Sequence, residues 1–163
     1  MSLDPHWLKI KLRPWRPALI LALACLSTGC TPPMTFEAYA VPLSPLPELA
    51  PTRIPDTGLN WKMRQYLEVS ADSEGPDFAD RLRVFKISCG TGCLEYRLID
   101  RFTGEVLQGD YVTNGGVEHR RDSRLLIVHR SQGFGLPQYV DYLVWDGSRL
   151  RRVMTAMRER GPD

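Results

Sequence analysis

Apolar positions along the chain fall into short blocks separated by glycine, proline, aspartate and asparagine, the punctuation of a strand-rich fold. Leu82 to Ile87 and Leu94 to Ile99 are dense in β-branched, aromatic and aliphatic side chains, and Ser88-Cys89-Gly90-Thr91-Gly92-Cys93 lies between them. Gly90 and Gly92 can take the positive φ values that a tight reversal needs, so this stretch predicts a β-hairpin with Gly90, Thr91 and Gly92 at its tip. Cys89 and Cys93 bracket the reversal closely enough for a disulfide to close. Closing so small a ring contributes only about 2 kcal/mol by loop-closure entropy, which suits a lock on a turn.

Downstream, Asp100-Arg101-Phe102-Thr103-Gly104 reads as a turn leading into Glu105-Val106-Leu107, and Thr113-Asn114-Gly115-Gly116 as another. Arg124 to Arg130 predicts a central strand buried on both faces, because its four apolar residues are consecutive. Gln132 to Pro137 is a glycine-proline loop, Tyr139 to Trp145 alternates as a strand should, and Asp146-Gly147 turns it into Arg149 to Met154. Asn60 to Glu68 fits two patterns: Trp61, Met63, Tyr66 and Leu67 line a short helix, while Trp61, Met63 and Val69 suit a strand. The strand is the reading adopted, and Ala71 to Asp77 follows as a loop. The fold class expected is all-β: a single small antiparallel meander or sandwich-like domain over residues 58–157, with a disulfide-locked hairpin and a frayed tail at 158–163. The charged stretch from Ala156 onward is expected to hold at most one helical turn.

The front of the chain differs in composition. Between Thr31 and Thr57 lie seven prolines, Pro32, Pro33, Pro42, Pro45, Pro47, Pro51 and Pro55, a spacing that predicts an extended, solvated tether over residues 30–57. Before it, residues 1–16 are polar and basic, and Ala18 to Leu26 form a nine-residue apolar run. That run is too short to span a bilayer and right for the apolar core of a signal peptide. Leu26-Ser27-Thr28-Gly29-Cys30 then resembles the bacterial lipobox, in which the cysteine is acylated and becomes the mature N-terminus. Leu21-Ala22-Leu23-Ala24-Cys25 is a competing candidate. Cys30 is preferred because the polar, proline-bearing Thr31-Pro32-Pro33 follows it, whereas Cys25 is still inside the apolar run. The resemblance implies removal of residues 1–29 and stable lipid anchoring through Cys30. Thr31 is not the aspartate that favours inner-membrane retention, which implies an outer-membrane protein facing the periplasm.

Charge sharpens this division. The formal net charge is +2, but Lys9, Lys11, Arg13 and Arg16 against Asp4 place +3 ahead of Cys30. From Cys30 onward 17 basic residues face 18 acidic ones, which leaves no electrostatic case for nucleic acid. With Cys25 in the leader and Cys30 at the acylated N-terminus, two cysteines remain in an exported domain and imply one bridge.

Several motifs together resemble a family of secreted bacterial proteins: Phe78-Ala79, Cys89-Gly90-Thr91-Gly92-Cys93, Asp100 with Thr103-Gly104, Asp122-Ser123-Arg124-Leu125-Leu126, and Trp145-Asp146-Gly147. The resemblance covers about residues 77–150. It implies export and a β fold, and carries no activity. Departures stand at Asp77, Asp80, Leu82 and Ile87-Ser88.

Candidate chemistry is sparse. Cys89 and Cys93 are separated by three residues and sit between strands, whereas redox pairs place two residues between cysteines at a helix start. His119 and His129 are the histidines outside the leader, and their spacing from the cysteines matches no zinc motif. His119, Asp122 and Ser123 have the residue types of a hydrolase triad on one short segment, and a turn preceding a strand accounts for them. Asp100, Glu105, Asp110 and Glu118 are scattered carboxylates; Trp61, Trp145, Tyr139 and Tyr142 read as core or sheet-face residues rather than a glycan platform. No catalytic residue, metal or cofactor is assigned. The expected role is binding to an envelope component, with inhibition of a cell-wall hydrolase through Gly90–Gly92 or Gln132–Pro137 as a variant. The alternative is a small envelope enzyme, thiol-based or hydrolytic.

Overall fold

The computed structural model describes residues 33–107, 109, 111–131 and 138–158. Two antiparallel sheets form it. The first runs β1-β2-β3 (Leu82–Gly90, Cys93–Asp100, Tyr111–Thr113) and the second β4-β5-β6-β7 (Val117–Glu118, Leu125–Ser131, Gln138–Trp145, Leu150–Arg158). Within each sheet every strand pairs with its neighbour in sequence, so each is a meander, as the short turns predict. The β1–β2 register pairs Leu82 with Asp100 and Ile87 with Glu95. Leu82, Val84, Tyr96 and Leu98 from the first sheet therefore share one face and meet Leu126, Val128 and Leu143 of the second. Burial of this shared interior holds the two sheets together.

The Thr113–Gly116 turn does not close a hairpin. It carries the chain from the first sheet to the second, and Gly115 passes so close to β5 that a Cβ there would lie 2.6 Å from the His129 carbonyl oxygen. Arg124 to Arg130 is the central strand expected, with Leu125 and Leu126 fully buried on opposite faces.

Asn60 to Glu68 corrects the strand reading. Trp61–Ser70 is an α-helix, α1, capped by Asn60, whose side-chain oxygen accepts from the Met63 N–H at 2.8 Å. A strand would put Trp61 and Met63 on one face; here Met63 is buried and Trp61 is 76% exposed. Met63, Leu67 and Ala71, at helical spacing, pack on Phe85, Ile87, Ile99 and Val106, the outer face of the first sheet. Arg83, buried on that face, donates to the Ala71 carbonyl at 2.6 Å and closes the helix C-terminus.

The tether is corrected over its described part. Residues 33–57 are a strap folded against both sheets. Tyr39, in a 3-10 turn (Glu37–Tyr39), is buried with Leu125 and Val144, flanked by Met34 and Phe36, on the outer face of the second sheet. The strap backbone bonds to the domain: Val41 N–H donates to Asp122 O at 2.9 Å, Ala50 N–H to Arg101 O at 3.1 Å and Arg53 N–H to Gly104 O at 2.7 Å. Gly104 has φ +76°, and a Cβ there would collide with the Pro51 carbonyl oxygen. Arg101, 2% exposed, ties the layers by donating to Ala50 O, Thr52 Oγ1 and Asp72 Oδ1. Prolines remove donors, but apolar side chains spaced among them still found sheet faces to cover. The strap's first part thus covers the outer face of the second sheet, while α1, with Ile54 of the strap beside it, covers the outer face of the first. The start of the tail is corrected too: β7 continues through Ala156, Met157 and Arg158, which pair with Val140, Tyr139 and Gln138, while residues 159–163 lie outside the described residues.

Candidate functional site

Cys89 and Cys93 form a disulfide across the β1–β2 tip, with their Cα atoms 5.1 Å apart. Gly90 and Gly92 hold φ of +144° and +63°, and Gly90, Thr91 and Gly92 are all exposed. Beside the tip lies a notch of about 400 Å³ lined by Gly92, Cys93, Val112, Asn114, Arg130 and Tyr139. Several of its polar groups are engaged in holding the fold. Asn114 bonds to both backbone groups of Ser131, and the Thr113 hydroxyl donates to the His129 carbonyl. Arg130 reaches Asp141 at 2.7 Å, and its guanidinium lies over the Tyr139 ring. Burial pushes the Asp141 carboxyl up, but the Thr155 hydroxyl and the Arg130 guanidinium outweigh it and hold the group below the usual carboxylate range.

At the other end of the sandwich a cleft of about 450 Å³ opens between the start of β1, the end of β2 and the β6–β7 turn. It is lined by Arg81, Leu82, Asp100, Glu105, Leu107 and Trp145, with Gly147 and Ser148 at its rim. Arg81 pairs with Asp100, whose Oδ1 also accepts from the Phe102 and Thr103 N–H groups and so shapes the turn. Glu105 is exposed, and its carboxylate makes no hydrogen bond or ion pair among the described residues. Trp145 is half-buried against the shared core, and its indole N–H has no protein acceptor among the described residues.

The third surface is the outward side of α1. Trp61 and Val69, eight residues apart, are 76% and 82% exposed, and Tyr66 beside them is 48% exposed. Lys62 donates to the Ser88 carbonyl at 2.6 Å and Arg64 to the Pro55 carbonyl at 2.5 Å, so both basic side chains fold back onto the domain and leave the apolar stripe open.

The triad types do not converge. Ser123 is fully buried, donating to Phe36 O at 2.9 Å and accepting from the Leu125 N–H, Asp122 pairs with Arg120, and His119 pairs with Asp77 at 3.2 Å. His129 contacts Glu118. Among the described residues no three His, Cys, Asp or Glu side chains gather as metal ligands. Cys25, Cys30, Asp110 and the Gln132–Pro137 loop lie outside the described residues. Among the described residues no helix is long and apolar enough to cross a membrane. The exposed helix stripe and the cleft were missed in sequence; the Asn60 cap with Met63, Leu67 and Ala71 was the signal for the first, while the cleft joins residues too far apart to associate by spacing. Comparison with protein-family models, curated proteins and solved structures found no match.

Proposed function

We propose that this chain is a bacterial envelope lipoprotein, anchored through Cys30 on the periplasmic face of the outer membrane, whose β domain works by binding an envelope protein. The apolar run and Gly29-Cys30 support the anchor. The observation that carries the binding role is the open Trp61–Tyr66–Val69 stripe on a helix pinned to the sheet by its other face. Tyr and Trp supply large contact area at small entropic cost, and a rigid support reduces the ordering cost of association. The disulfide-closed, exposed Gly90–Gly92 tip favours a second reading within the same class, a loop inserted into the active site of a cell-wall hydrolase.

Photo-crosslinking residues placed singly at Trp61, Val69, Thr91 and Arg151 in cells separate these readings. A discrete protein adduct from positions 61 and 69, and none from the control at 151, is the expected result. An adduct from 91 alone would transfer the role to the tip. Absence of adducts at 61, 69 and 91 would overturn the binding proposal.

A further inference from the structure

The two concave sites differ in what their polar groups are doing, and the difference is chemical. At the hairpin-end notch, Thr113 and Asn114 are bonded to the protein and Arg130 is paired with Asp141, which leaves the Tyr139 hydroxyl and Arg130 Nη1 open among the described residues and no open carboxylate. At the opposite cleft, hydrogen-bonding groups without protein partners converge. Glu105 offers a carboxylate, Trp145 an indole N–H, and Arg81, which engages Asp100 through Nη2, keeps Nε and Nη1 unbonded among the described residues. Leu82, Leu107 and the Trp145 ring supply apolar wall. Donors, acceptors and apolar surface in a cleft of about 450 Å³ meet the general description of a small-molecule site.

From this convergence we infer that the Trp145–Glu105–Arg81 cleft binds a neutral saccharide, taking one or two rings of a glycan chain. Sugar hydroxyls donate to the Glu105 carboxylate and accept from the indole and guanidinium N–H groups, while the C–H face of a ring lies on the apolar wall. Charge excludes anions: Asp100 balances Arg81, so Glu105 leaves the cleft with one unbalanced negative charge that disfavours an anionic ligand. The inference is of binding: Asp100 is held by Arg81 and two backbone N–H groups, so Glu105 is the carboxylate of the cleft left to meet a ligand. The site is separate from the α1 stripe, so it stands or falls independently of the protein-binding role proposed above.

The test is calorimetric titration of the purified full chain with a β-1,4-linked N-acetylglucosamine tetramer and with cellotetraose, and with tetragalacturonate as the anionic comparison. A neutral tetramer should bind, and Glu105→Gln and Trp145→Phe should each weaken it about tenfold, the loss of one charge-assisted hydrogen bond or of the indole N–H bond. Tetragalacturonate should bind at least about tenfold more weakly than the neutral chains. Glu105 is exposed and glutamine is isosteric, so an unchanged melting temperature certifies the fold, and Trp61→Ala should leave saccharide affinity unaltered. No binding of either neutral tetramer at about 10 mM, or binding that Glu105→Gln leaves unchanged, overturns the assignment.

Discussion

Cys89 and Cys93 act at a point where the chain has little else to hold it. The tip residues are exposed, and the β1–β2 register shifts between Ser88 and Gly90, so ladder bonds alone fix the turn weakly. Replacing both cysteines with serine should lower unfolding free energy by about 2 kcal/mol, read from the denaturant midpoint, with the β-sheet circular dichroism retained. A thiol-based enzyme would instead lose its activity while stability changed little. This part of the molecule was legible in sequence because glycine, cysteine and flanking β-formers all point to the same local geometry. The roles of Arg83 and Arg101 were not. Both are buried, and an arginine in a sequence announces charge, whereas here the guanidinium fork collects backbone carbonyls from segments that are distant along the chain.

Among the elements, the strap departs most from expectation. Proline spacing reports which backbone N–H groups are missing; it carries no information on whether Tyr39 or Ile54 has a sheet face to cover. A chain shortened to begin at Gly58 would expose Leu125 and Val144, and should lose on the order of 5 kcal/mol, read as a large fall in melting temperature. An unchanged melting temperature would restore the tether. Acid should loosen the same element. Burial pushes the carboxyls of Asp80 and Asp72 up, but Ser44 and Arg121 on the first, and Thr52 and Arg101 on the second, outweigh it and lower both. Depressed folded-state values mean that the stabilisation is complete above the unfolded carboxylate value of about 4 and is lost as pH falls through the folded ones. Amide exchange at Val41 and Arg53, corrected for intrinsic rates, should therefore be slow at neutral pH and rise below about pH 4. Protection that persists at pH 3 would show that these carboxylates do not fasten the strap. Helix α1 was missed for a different reason: over nine residues its apolar set satisfies both periods, and only the Asn60 cap breaks the tie.

For the whole molecule, the meander order within each sheet followed from turn chemistry, yet the transfer between sheets at Thr113–Gly116 did not. A turn sequence specifies a reversal and leaves open which sheet receives the next strand. The cleft was illegible for the same reason, since Arg81, Asp100, Glu105 and Trp145 meet only after both sheets stack. Anchoring is tested at this scale. Cys30→Ser should abolish acyl labelling and leave an uncleaved precursor; unchanged labelling would move the anchor to Cys25, and a parent chain that takes up no label would remove it.

The packed strap also changes how far the protein can stretch. A free chain from residue 30 to 57 would be a leash, letting the domain search a wide shell of periplasm. With Pro33 onward stitched down as cladding, only Thr31 and Pro32 separate an acylated Cys30 from the first described residue, a reach of roughly 10 Å even when fully extended. Anchored at Cys30 as proposed, such a domain would ride on its membrane like a stud on a plate. Whatever it met would have to come to the bilayer, and a target fixed at a distance would stay beyond its grasp.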